Sequence, residues 1–158
     1  MKRPVLAILA LAVVALAFSS GCDKVKDDIV GYSKSAVPLI NKFGADFRAK
    51  MEDVGKADSK EVYVSRTRAD LIPMIKAYRD KLAAIKPESN ELKAIHDAYV
   101  AGVAGTEEGL KALLDSIEKE DAALAETAKR KVEAGEAAEA TFKKDFEALA
   151  KAHDIKFE

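Results

Sequence analysis

The chain has 158 residues, 49% of them hydrophobic, and sets 26 Lys and Arg against 27 Asp and Glu for a formal net charge of −1. That balance argues against nucleic acid as a partner, because phosphate binding calls for a basic patch or stripe. The single cysteine, Cys22, excludes an internal disulfide and a multi-cysteine metal site.

Residues 1–21 read as an export signal: a basic head at Lys2 and Arg3, 14 apolar residues from Val5 to Phe18, then Ser19, Ser20 and Gly21 before the cysteine. As a helix the apolar run would span roughly 21 Å, short of the roughly 30 Å hydrocarbon core of a bilayer, so a permanent transmembrane helix is disfavoured. The small residues ending in Gly21-Cys22 resemble the lipobox of bacterial lipoproteins, with Ser19 standing where an aliphatic residue is usual. That resemblance implies a diacylglycerol on the Cys22 thiol, cleavage just before it, and an acylated new amine. It therefore implies a protein held at a bacterial envelope membrane and facing the periplasm, with Cys22 as the lipidation site and membrane lipid as a partner. Asp23 is similar to the inner-membrane retention signal of enterobacterial lipoproteins, a rule that varies between bacterial groups, and inner and outer membrane both stay open. Ordinary secretion is the competing reading, through the A-x-A site at Ala15-Leu16-Ala17.

Removing residues 1–21 leaves 137 residues, enough for one domain with a core and too few for two. Alanine, lysine, glutamate and leucine dominate, tryptophan is absent, and no stretch shows the β-branched alternation of a strand, so the expected class is all-α.

Four helices follow in order. Val25, Ile29, Tyr32, Ala36, Ile40, Phe43, Phe47, Met51 and Val54 keep spacings of three and four and predict one long amphipathic helix from Asp23 to about Lys56. Asp58-Ser59-Lys60-Glu61 fits a capping box with the glutamate three residues after the capping Asp58, opening a second helix that ends near Lys86, before Pro87. Leu92, Ile95, Tyr99, Val103, Thr106, Leu110, Leu113 and Ile117 mark the third. Asp121 is a candidate N-cap for the fourth, whose stripe runs through Leu124, Ala128, Val132, Gly135, Phe142, Phe146 and Leu149, leaving a frayed tail from His153 to Glu158. Short connections between long helices predict an up-down-up-down four-helix bundle over residues 22–158, some 40 to 45 Å long.

Pro38 and Pro73 interrupt predicted helices and, in an antiparallel hairpin, stand at nearly one level, which reads either as curvature around a core or as a widened midsection that admits a ligand. Gly102, Gly105 and Gly109 read as close approach of a neighbouring helix or as local flexibility. Phe43, Phe47, Phe142 and Phe146 fall near one another as core or as an apolar pocket.

Catalytic and cofactor motifs are absent from the sequence: no C-x-x-C-H, H-E-x-x-H, G-x-S-x-G or phosphate-binding glycine loop. A di-iron site needs glutamate three residues before histidine, and Lys93 and Ala150 occupy those positions. His96-Asp97 and His153-Asp154 fall at one end of the bundle, where two imidazoles with carboxylates suit zinc or copper and two imidazoles suit haem; the reading preferred is solvated histidines. Glu126 with Arg130, Glu139 with Lys143 and Glu147 with Lys151 suit ion pairs on a solvated face. The expectation is therefore a lipid-anchored module that is not an enzyme, carries no cofactor and recognises a protein or another envelope component. The alternative is a carrier or sensor holding an apolar ligand, haem or metal in the bundle interior.

Overall fold

The three-four spacing of apolar residues is realised as helix along nearly all of residues 22–156, the part of the chain that the computed structural model describes. The signal read at residues 1–21 lies outside them. Helix α1 is Cys22–Gly55, α2 Lys60–Arg66, α3 Ile72–Ala84, α4 Asn90–Lys119 and α5 Ala122–Ala152. A π turn, Thr67–Leu71, joins α2 to α3, so the two form one continuous second rod and the four-rod bundle expected from the sequence stands. Among the described residues no helix is long and apolar enough to cross a membrane.

The π turn has a local cause. Pro73 sits in the first turn of α3 and has no backbone N–H to give. The wider turn before it, in which the Ile72 N–H bonds the carbonyl of Thr67, lets the helix restart at a position where a proline is tolerated.

Several helix ends differ from expectation. The cap of α2 is Ser59, whose Oγ accepts from the Val62 N–H at 3.2 Å, one residue later than the predicted Asp58, so Glu61 does not occupy the reciprocal position. Ser89 precedes α4 without capping it. Asp28 of α1 instead braces the turn before it, its Oδ2 accepting from the N–H groups of Glu88 and Ser89 and from the Ser89 hydroxyl at 2.7 to 3.0 Å. Asp121 caps α5 as expected. Residues 153–156 are not frayed: Asp154 takes a left-handed backbone (φ 54°), the Asp154 N–H bonds Lys151, and the Ile155 N–H bonds Ala150 at 2.9 Å. This is a Schellman ending with Ile155 packed against the core.

The core draws Ile29, Tyr32, Ala36 and Ile40 from α1, Ile75, Tyr78 and Leu82 from α3, Leu92, Tyr99 and Leu110 from α4, and Phe142, Phe146 and Ala150 from α5. The fourth and fifth helices meet most closely. A Cβ at Gly102 would collide with Ala138, one at Gly135 with Thr106, and one at Gly109 would lie 2.9 Å from Val132, so these glycines let two backbones approach. Gly105 has only ordinary clearance, 4.0 Å from the Lys131 carbonyl.

Candidate functional site: a cleft beside the first helix

The burial of α1 is discontinuous. Ile29, Tyr32, Ala36 and Ile40 are buried and Val54 is buried again near its end, but no side chain from Asn41 to Asp53 is. Pro38 stands just before this stretch. Along its length α1 approaches the other helices sparsely, whereas α4 and α5 are pressed together.

The space left is a half-open cleft of about 380 Å³ between α1 and the α4–α5 pair. Phe43, Phe47 and Met51 form its α1 wall, Val103 and Leu110 of α4 and Val132 of α5 the facing one. Met51, 38% exposed, is the large hydrophobic side chain left most open among the described residues. A cavity of this size, apolar inside with few polar groups, has the character of a small-molecule site.

Three charged groups line the cleft: Arg48 from α1, and Glu136 and Glu139 from α5. Glu139 is paired with Lys143 at 2.6 Å, whereas Arg48 and Glu136, both exposed at the rim, have no ionic partner among the described residues. Along α1 from Lys42 to Lys56, every charged side chain except Arg48 is paired: Lys42 with Asp46, Lys50 with Asp53 and Asp70, Glu52 with Lys56. Glu52 lies four residues after Arg48 but pairs forward, since acid before base at this spacing is the better orientation on a helix. Gly44 faces the opening, and a Cβ there would meet nothing within 4 Å.

Away from the cleft the buried His96 and Glu107 side chains are partnered, whereas Thr67 Oγ1 is buried without a hydrogen-bond partner. His96, expected in solvent, is 2% exposed, because α4 turns it onto α1, where its Nδ1 accepts from the Tyr32 hydroxyl at 2.9 Å. Burial lowers its pKa; Asp97 and the Leu82 carbonyl favour the charged form, and Lys86 and Lys93 oppose it. Burial likewise pushes the Tyr32, Tyr78 and Tyr99 hydroxyls up, so all three stay protonated near neutrality. The buried Glu107 carboxylate is held by Arg79 and Lys111, each at 2.5 Å.

The other sequence candidates are dispersed. His153 forms the C-cap of α5 and is partly exposed, and among the described residues no group of three or more His, Cys, Asp and Glu side chains is placed to hold a metal ion. Cys22, the predicted anchor position, is the first of the described residues and lies in α1. The two phenylalanine pairs are linked through tyrosines. Phe43 stacks on Tyr78 at 3.8 Å and Phe142 on Tyr99 at 4.5 Å, and the Tyr78–Tyr99 hydroxyl bond at 2.8 Å joins the two stacks. Of the three ion pairs expected on the last helix only Glu139–Lys143 forms.

Sequence reasoning placed Phe43, Phe47 and Met51 on a buried stripe and passed over Gly44, Arg48 and Glu136. The one signal for Arg48 was its position before a glutamate with a better-oriented partner. No family model matches the chain, and no curated protein and no solved structure matches it.

Proposed function

We propose that this chain is a lipid-tethered, non-catalytic binding module of a bacterial cell envelope, held at a membrane by acylated Cys22 and facing the periplasm, with the cleft beside α1 as its binding site. The lapse of burial along α1 carries this reading. A bundle of this length has enough apolar side chains to close its core, yet it leaves Phe43, Phe47 and Met51 around an opening. The tether rests on the lipobox-like Gly21-Cys22. More than one acyl chain on one residue gives stable anchoring where a single chain is marginal.

The cleft favours a small, largely apolar ligand as the bound component over a docked protein face, because it is a half-open cavity of about 380 Å³. It also favours that ligand over haem or metal held by His96 and His153, since Tyr32 already occupies the His96 Nδ1.

Two measurements test the reading. Cys22→Ser should abolish lipid labelling and membrane retention; lipid-dependent anchoring that persists in the variant refutes the tether. A native mass spectrum of protein gently extracted from its own membranes should show residues 22–158 with acyl chains plus a further mass of small-molecule size. A spectrum of acylated chain alone would turn the reading towards a protein partner.

A further inference from the structure

We infer that the cleft takes a single-chain amphiphile with a zwitterionic head, one acyl chain joined to a phosphate and an ammonium group. This inference rests on the cleft being the binding site and adds the class of its ligand.

The tail follows from the lining. Phe43, Phe47, Met51, Val103, Leu110 and Val132 offer apolar surface along a slot of about 380 Å³, near the lower end of small-molecule sites and too small for a two-chain lipid. The head follows from the charges. Arg48 on one wall and Glu136 on the other are without ionic partners and are not paired with each other. A purely anionic head placed on Arg48 would face Glu136 and Glu139, and a purely cationic head would face Arg48. A head carrying both signs satisfies the two walls at once, with the phosphate taken by the Arg48 guanidinium and the ammonium by Glu136. Gly44 lines the cleft, and a Cβ there would meet nothing within 4 Å. A protein tethered at a membrane meets such molecules as single-chain products of phospholipid breakdown.

All core residues among those described fall between Ile29 and Ala150, so a chain of residues 22–158 bearing Cys22→Ser contains the fold and is the protein to use, with circular dichroism as the check. The probes are lysophosphoethanolamines of increasing chain length, with alkyl carboxylates and alkyl trimethylammonium salts of matched length, all below their micellar concentrations and read by calorimetry. Lysophosphoethanolamine is expected to bind tighter than either matched probe. Its affinity should rise about fourfold per added methylene until the slot is full, the factor that 0.8 kcal/mol per buried CH₂ gives. Arg48→Gln and Glu136→Gln should each weaken it about tenfold while leaving the helical signal unchanged. Gly44→Phe should abolish it.

If an alkyl carboxylate binds best and Gly44→Phe blocks it, the zwitterionic class is wrong and the cleft stands. If all probes bind weakly and equally, or Gly44→Phe leaves binding unchanged, the cleft is not the site and the proposed function fails with it.

Discussion

The α4–α5 seam and the α1 wall are built from the same repertoire and do opposite things. Along the seam Gly102, Gly109 and Gly135 remove side chains where another helix arrives, and the two backbones close until any Cβ would collide. Along α1, Gly44 removes a side chain where nothing arrives, and the larger neighbours Phe43, Phe47 and Met51 hold the space partly open. Glycine in a helix therefore has no single meaning: its cost of about 1 kcal/mol relative to alanine is offset at the seam by packing and is uncompensated at the cleft.

Substitution at the seam should have the largest effect. Gly135→Val puts a branched side chain against Thr106 and is expected to cost about 3 kcal/mol or more in urea denaturation. A change below about 1 kcal/mol would mean that α4 and α5 are less closely packed than described.

The lower part of α1 is held by Tyr32, so Tyr32→Phe, which leaves the buried His96 Nδ1 without its donor, should cost about 1 to 3 kcal/mol. The loss should appear as faster hydrogen exchange in α1 and leave the α4–α5 amides protected.

Acid should loosen the same joint. His96 has a folded pKa below its unfolded value of about 6.5, so the unfolded chain binds the proton first. Its contribution is intact above about pH 6.5 and is lost as pH falls through the folded pKa. Melting temperatures followed downward from pH 7 should therefore drop, and His96→Phe should flatten that drop; an unchanged slope would show that other groups set it.

The smallest effect is a gain. Gly44→Ala, whose Cβ has open space, should stabilise the bundle by up to about 1 kcal/mol, whereas Gly102→Ala should destabilise it through collision with Ala138. Equal signs at the two positions would erase the distinction between seam and cleft.

Much of the fold is legible in local sequence. The three-four stripes give the four rods, Asp121 caps the last one in place, and the breaks near Gly55 and Pro87 fall where polar and proline residues put them. The candidate site is less legible. Phe43, Phe47 and Met51 continue the stripe of Ile29 and Ile40 without a break in periodicity, so nothing local distinguishes a side chain that reaches the core from one that lines an opening.

By itself the sequence determined what depends on neighbours a few residues apart: helical class, rod number and approximate ends. Only the tertiary structure decided what depends on residues far apart in the chain. Asp28 braces the turn at Glu88 and Ser89, 60 and 61 positions later, and the buried His96 meets Tyr32 across 64 positions. Small residues on α4 and α5 let those helices close on each other, while a cleft stays open beside α1. Helical periodicity fixes which side chains share a face, but the distance between two faces is set by the volumes on both, and that sum is written in no single segment.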